Sequence, residues 1–185
     1  MTAEEILTSV LAKCNLSYET ASVVSTDQTV AEVVDLINET GQDLAQRGEW
    51  EAMLKSVAVG ALPADYQKTA SVTMDDGGFA RVVMMPELWT MLVENTATQP
   101  YYRISGGSVE VSTGDPATLH YWSSAWCDGG DHVAANSDEV YIPGNIMVSG
   151  TFYRWLRKKG MPFDDQMAQH EADVETAQKN NRGAR

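Results

Sequence analysis

The fold is decided by residues 29–50, TVAEVVDLINETGQDLAQRGEW. Apolar residues recur there every three or four positions, as on one face of an α-helix, and acidic residues occupy the other side. The stretch therefore predicts an amphipathic helix over 29–47 that buries one stripe in a core. The residues of that stripe are Val30, Val33, Val34, Ile37, Gly41, Leu44 and Ala45.

The ends of this helix carry recognisable signals. Thr29 and Glu32 have the spacing of a capping box, in which each side chain satisfies an amide of the first turn. Arg47 suits the negative helix end, and Gly48 suits a left-handed cap. Trp50 follows closely, and we expect it to fold back as a hydrophobic plug.

Three other segments predict helices. Residues 2–14 begin with a second capping box, Thr2 and Glu5. Residues 144–159 are apolar on most sides and should be deeply packed. A last helix starts near Asp164 and has only a thin apolar stripe.

Between these helices the pattern changes to alternation and turns, which indicates a β-rich block. Asp75-Asp76-Gly77-Gly78 is a good hairpin turn between two strands, and Pro86 opens a short helix. The predicted strands are 68–74, 79–84, 101–104, 109–111 and 117–122.

The order of elements predicts an α+β fold, a helical bundle made by both chain ends with a β-rich insertion and an extended C-terminal tail. We expect residues 1–60 to supply the first helices and 61–142 the insertion. Residues 143–179 complete the bundle, and residues 180–185 form a flexible basic tail.

The composition fits a globular protein that folds in a cytoplasm. The chain has 185 residues, of which 43% are hydrophobic and 21% charged, and its net charge is −13. No stretch is long and apolar enough to cross a membrane, and the N-terminus has no signal-peptide pattern. Cys14 and Cys127 lie far apart, which argues against a structural disulfide. We expect Cys14 to be a buried thiol.

The charge is unevenly distributed. Residues 1–60 carry −7, residues 61–142 carry −8, and residues 143–185 carry +2. An acidic body argues against gripping nucleic acid, since that affinity depends largely on Lys and Arg. It does not exclude DNA that passes nearby without binding.

No pattern indicates an enzyme, a metal site or a cofactor. The Gly-rich phosphate-binding, nucleophile-elbow and zinc-protease motifs are absent from the sequence. Asp128, Asp131 and His132 are the best catalytic candidates, yet their spacing matches no metal motif, and a solvated loop is the better interpretation. His120 and His170 are interpreted as structural.

Two features leave functional alternatives open. Five aromatic residues could form a face that stacks on sugars or bases, or the core and cross-strand pairs of a small sheet. The weakly apolar last helix and its basic tail gain little by folding on their own body, so they either dock on an acidic partner or fray. The aromatic residues are Tyr101, Tyr102, Tyr121, Trp122 and Trp126.

Over residues 29–179 the chain resembles the head-to-tail adaptor proteins of short-tailed bacteriophages, the head-completion or tail-tubular-A-like connectors. It departs from their pattern at Thr40 and Gly41, where stronger helix formers are expected, and in residues 1–28. Four stretches carry the resemblance in order: VVDLINE (33–39) running into AQRGEW (45–50); ALPADY (61–66); YRISGG (102–107) leading to LHYWSS (119–124); and NSD (136–138) to Pro143, followed by FYRWLRKKG (152–160).

The resemblance implies a structural virion protein at the neck between capsid and tail. Family members form a homo-oligomeric ring, a dodecamer, beneath the portal protein. The ring extends the DNA channel, through which the genome passes without specific binding, and it gives the tail or nozzle protein a platform. An acidic bore would keep DNA mobile.

The resemblance also implies a portal-docking segment at residues 164–185. Two other functions stay open: another neck or tail subunit on a similar helical frame, and a virion protein that binds carbohydrate or acts on cell walls. The implied docking residues are Met167, His170, Val174, Lys179, Arg182 and Arg185.

Overall fold

The computed structural model describes residues 1–16, 21–95 and 98–183. Residues 182 and 183 are described by their main chain alone. Within these residues the chain is a mixed α+β protein with five α-helices and two three-stranded sheets, which confirms the predicted class. In chain order the elements are α1 (Ala3–Lys13), α2 (Gln28–Arg47), a 3-10 turn (Glu51–Met53), β1 (Leu54–Ala58), β2 (Tyr66–Met74), β3 (Arg81–Val82), α3 (Pro86–Glu94), β4 (Tyr101–Ser105), β5 (Ser108–Val111), β6 (Ala117–Ser123), α4 (Gly144–Lys158) and α5 (Asp164–Gly183).

The chain divides into two compact units. The helical unit joins Met1–Met53 to Ser124–Arg185, and the β unit is Leu54–Ser123. The insertion therefore differs at both ends from the predicted 61–142. Residues 54–58 form β1, and residues 124–142 belong to the helical unit because Trp126, Cys127 and Val133 are buried in its core.

In the helical unit, α4 packs against α1, α2 and α5. The capping box of α1 is confirmed, with Thr2 Oγ1 accepting from Glu5 N and Thr2 N donating to Glu5 Oε2. The core residues of the helices alternate with exposed ones at helical spacing, as expected for amphipathic helices. The innermost side chains are Ile6, Leu7, Val10, Ile37, Leu44, Ile142, Ile146 and Met147.

The predicted start of α2 is wrong. The N-cap is Asp27, whose Oδ1 accepts from Thr29 N at 2.8 Å and Val30 N at 3.1 Å. Glu32 is not part of a capping box and instead lies 2.7 Å from Lys159 Nζ at the end of α4. Two caps compete in this sequence, and the aspartate is the stronger acceptor because it is charged.

The predicted left-handed conformation of Gly48 is also wrong, because its φ is −110° and its ψ is 156°. Glycine is needed for space: a Cβ would lie 2.3 Å from Nε1 of Trp50. Trp50 does fold back, as predicted, since it is buried and its Nε1 donates to Leu44 O at 2.8 Å.

The loop that follows β6 packs directly on α2. The fully buried Trp126 indole lies against Gly41, where a Cβ would be 2.4 Å from Cε2 of the ring. One residue earlier, Thr40 Oγ1 lies 3.3 Å from Thr151 Oγ1 and donates to Leu36 O. The two residues that weaken the helix thus provide close contacts to neighbouring elements.

The β unit contains an antiparallel sheet in the order β1-β6-β2. Below it lies a core of buried residues that includes Val72, Leu119 and Tyr121. At one corner Asp65 accepts from Lys55, Tyr121 and Ser123, at 2.7 to 3.0 Å. Burial acts to raise the pKa of Asp65, but these hydrogen bonds outweigh it and hold the pKa at about 2.

The second sheet has the order β3-β4-β5. The turn predicted at 75–78 forms, since Met74 N donates to Gly78 O at 2.8 Å. The hairpin continues for one antiparallel bridge, between Thr73 and Phe79. The strand predicted at 79–84 is then only Arg81–Val82, and it pairs in parallel with β4. The short helix α3 is confirmed, and its buried Trp89 lies 4.7 Å below the Arg103 guanidinium.

Candidate interaction surfaces

The last helix, α5, is seated on the helical unit by two buried residues, His170 and Val174. Gly150 of α4 allows the close approach, because a Cβ there would lie 2.8 Å from Cε1 of His170. The expectation that α5 gains little by folding on its own body is therefore wrong. The thin apolar stripe of α5 is the side of the helix that packs on the helical unit.

His170 is buried as a neutral imidazole. Ser149 Oγ donates to Ile146 O, so it accepts from Nδ1 of His170 at 2.9 Å. The other ring nitrogen, Nε2, has no hydrogen-bond partner in the described part of the chain. Burial lowers the pKa of His170, because charging the ring there would cost solvation.

Polar contacts fasten α5 to the end of α2. Glu171 forms a two-pronged ion pair with Arg47, one contact of which is 3.0 Å. Asn181 Nδ2 donates to Glu49 O at 2.8 Å, and Gln178 Nε2 donates to Arg47 O at 3.4 Å. The Gln178 amide thus satisfies a carbonyl that the end of α2 leaves without a helical partner, and the Asn181 amide reaches a carbonyl two residues beyond it.

The basic end of α4 is neutralised by acids of α2. Lys158 and Lys159 both pair with Glu32, at 3.1 and 2.7 Å. The buried Arg154 pairs with Asp43 at 2.8 Å and with Glu39 at 3.4 Å. This cluster therefore works as a structural charge network between two helices and not as a free basic patch.

The predicted docking residues do not form one surface. Met167 and Lys179 are exposed, and Lys179 pairs with Glu175 one turn earlier at 2.7 Å. His170 and Val174 face the core instead. The Arg182 side chain and the whole of Arg185 lie outside the described residues.

The basic tail predicted from residue 180 begins as helix. The main chain of α5 continues to Gly183, and Asn181 is tied to the end of α2. Residues 184 and 185 lie outside the described part of the structure.

Of the best catalytic candidates, Asp131 and His132 pair with each other on the surface, whereas Asp128 has structural partners. Asp131 Oδ1 lies 2.8 Å from Nδ1 of His132, and a hydrogen bond from this ring lowers the pKa of Asp131. Asp128 accepts from Tyr141 Oη at 2.7 Å and from Glu139 N at 3.0 Å. The two contacts of Asp128 join the start of the loop before α4 to its end. Among the described residues no three His, Cys, Asp or Glu side chains group in a way that could hold a metal ion.

Of the two interpretations of the five aromatic residues, core packing applies to three, whereas Tyr101 and Tyr102 are half-buried. Tyr121, Trp122 and Trp126 are buried. Tyr121 belongs to the core of the β unit, whereas Trp126 belongs to the core of the helical unit. Aromatic side chains enclosed in two separate cores have no faces available for a sugar or a base.

An apolar surface of the β unit was missed in the sequence. Half of the large apolar side chains that are exposed in the described residues come from the segment 79–93, with Met84 and Met85 the most prominent. The signal is the run Val82-Val83-Met84-Met85-Pro86, which is apolar without the alternation of a half-buried strand.

No known protein family and no curated protein matches the chain. In the described residues, no helix has the length and apolar character that spanning a bilayer requires.

Proposed function

We propose that the chain is a head-to-tail adaptor of a short-tailed phage virion, a subunit of a ring beneath the portal. One observation carries the proposal: a helical unit is made by both chain ends and interrupted by a β insertion at residues 54–123. That is the organisation the sequence resemblance implies. In this proposal α1, α2, α4 and α5 form the bundle of the ring subunit.

The charge distribution supports a conduit more than a DNA clamp. The chain carries −13, and the bases at the end of α4 are already paired with Glu32 and Glu39. Carboxylates along a bore repel phosphates, so DNA moves through without being held. The ring, of twelve copies by resemblance, would offer its other face to the tail or nozzle protein.

The portal contact is proposed on the exposed side and C-terminal end of α5. Met167 and Lys179 are the exposed members of the predicted set, and Arg182 and Arg185 follow Lys179 in the sequence. His170 and Val174 contribute indirectly, because they hold α5 on the helical unit. Charge-assisted contacts to acidic portal residues would then give the docking its specificity.

The test removes charge and leaves the helix intact. Lys179→Gln, Arg182→Gln and Arg185→Gln are combined in one chain, which keeps the amides of Gln178 and Asn181 on their carbonyls. A truncation at residue 178 would remove those hydrogen bonds as well. The matched control carries three substitutions of exposed bases outside α5, Lys13→Gln, Lys68→Gln and Arg81→Gln.

The readout is light scattering of each chain alone and mixed with the portal protein of the same genome. We expect wild type and control to form a large complex with the portal, and the α5 variant to lose at least tenfold in affinity. Full-strength binding by the α5 variant would refute the docking site. A wild-type chain that never joins the portal, but joins a tail component, would instead place it elsewhere in the neck or tail.

A further inference from the structure

The β unit carries an exposed apolar surface, which we name the methionine face. Met84 is 90% exposed and Met85 is 66% exposed, values that are unusual for side chains of this kind. Single exposed apolar residues need no explanation, but a group of them marks a contact surface. The face comprises Val82, Met84, Met85, Leu88, Met91 and Ile104.

The six residues are arranged around the end of β3 and along α3. Val82, Met84, Met85 and Ile104 line one groove of about 270 Å³. Leu88 and Met91 lie three positions apart in α3, which is the spacing of one side of a helix. On the other side of α3, Trp89 is buried against Arg103.

The size of the face matches what a weak dimer needs. Weighted by their exposed fractions, the six side chains present on the order of 600 Å², the upper end for the largest patch of a typical monomer. Two copies in contact would bury about 1,200 Å² in total, the lower limit of specific, stable interfaces. Methionine is flexible and polarisable, so two identical faces can adapt to each other.

Charge favours a second copy at this place. Two chains of −13 repel each other over most of their surface. The segments 79–93 and 101–105 contain only Arg81, Glu87 and Arg103 as charged residues, a net charge of +1. The methionine face is therefore where two copies approach with little repulsion.

We propose that in solution the methionine face is covered by the same face of a second copy of this chain, in a two-fold, concentration-dependent dimer. The contact is made by the β unit. It does not depend on the portal contact proposed for α5, and each can fail without the other.

The experiment compares three full-length chains by sedimentation velocity over a concentration series. They are wild type, the variant Met84→Glu with Met85→Glu, and the control Val24→Glu with Met161→Glu, which places the same charges on exposed apolar side chains of the helical unit. We expect wild type and control to shift from the mass of one chain towards two. The face variant should show at least a tenfold weaker dimer, because it places carboxylates against an apolar surface. All three should have the same circular dichroism and melting temperature, since the substituted side chains are exposed.

Added salt separates this contact from an electrostatic one. The dimer should strengthen from about 50 mM to 500 mM salt, because screening weakens the repulsion between acidic chains and leaves apolar burial intact. The proposal is overturned if wild type keeps the mass of one chain at every concentration, which would leave the face to a partner of different sequence. It is equally overturned if the face variant dimerises as wild type does.

Discussion

Replacing Gly41 by alanine tests the contact between α2 and the loop after β6. The added Cβ would lie 2.4 Å from Cε2 of the Trp126 indole, whereas carbon atoms in contact are about 3.5–4.0 Å apart. The indole has little room to retreat, because it is fully buried and its Nε1 donates to Asp131 O at 3.0 Å. The substitution therefore forces either the ring or the helix to move by about 1 Å.

Two effects of opposite sign set the magnitude. In an open helix, alanine in place of glycine stabilises by about 1 kcal/mol. Overpacking a well-packed core costs about 1–3 kcal/mol and sometimes more, and a large ring held on both sides belongs at the upper end. We expect a net loss of about 2 kcal/mol in the free energy of unfolding, which corresponds to roughly 4–8 °C in melting temperature for a chain of this size.

The assay is urea unfolding followed by helical circular dichroism, with Trp126→Leu as the second arm of a double-mutant cycle. In the Trp126→Leu background the ring is gone, so Gly41→Ala should be neutral or stabilising there. A Gly41→Ala chain at least as stable as wild type would refute the close approach. A loss of the same size in both backgrounds would show that the indole is not the obstacle.

Three further outcomes can be measured by the same unfolding methods. Because burial lowers the pKa of His170, its folded form favours the neutral ring. Its contribution to stability should be complete above the ordinary histidine pKa of about 6.5 and fall as pH decreases below it. His170→Leu should lose less melting temperature than wild type between pH 7.5 and 5.5, and an equal loss would contradict this role. The pKa of Asp65 is also lowered, to about 2, but here the folded state favours the charged form. Its stabilisation is therefore present above about pH 4 and disappears as pH falls towards 2. Asp65→Asn should cost about 1–2 kcal/mol at pH 7 and flatten that acid transition, whereas an unchanged pH profile would argue against the ionised contact. Trp50→Phe keeps an aromatic ring but removes the indole donor to Leu44 O, which retains its bond from Gly48 N, and we expect a loss of about 1 kcal/mol in urea unfolding. A neutral result would mean that the indole N–H does not matter.

Hydrophobic periodicity predicted the helices well, because each of them buries a stripe at 3.6-residue spacing. It did not predict the cap of α2, because Asp27 and Thr29 are both good N-caps two residues apart and the periodicity of apolar residues does not rank them. Periodicity also does not explain why Thr40 and Gly41, two weak helix formers, occur within α2. Their roles depend on Thr151 and Trp126, more than 80 positions away in the sequence.

The candidate docking site was predicted less well, for a related reason. The stripe of α5 is thin, so periodicity indicated a helix with little to hold it. The missing stabilisation comes from polar side chains, the Arg47–Glu171 ion pair and the amides of Gln178 and Asn181. Polar contacts of this kind leave no periodic signal in the sequence.

Strand β3 shows a third limit of prediction from local sequence patterns. The turn at 75–78 correctly predicted a reversal, but a turn does not determine which strand the following residues will join. Arg81–Val82 pairs with β4, about 20 positions later, and in parallel. Pairing partners in sheets are non-local, so the local alternation of residues cannot reveal them.

The register of β1 on β6 has a consequence for how the protein is made. Leu54 pairs with Trp122, so the first and last strands of the β unit bring its two ends side by side. Without that pairing, joining the two halves of the helical unit across a span of this length would cost on the order of 4 kcal/mol in chain entropy. A β unit that folds as soon as it leaves the ribosome removes most of that cost before α4 and α5 are synthesised. The folded β unit then keeps the end of the N-terminal half close to the start of the C-terminal half, so that α4 and α5 can pack on α1 and α2. By the same reasoning, any folded module with adjacent termini could take its place, so this is the position in the chain where evolution can exchange one insertion for another.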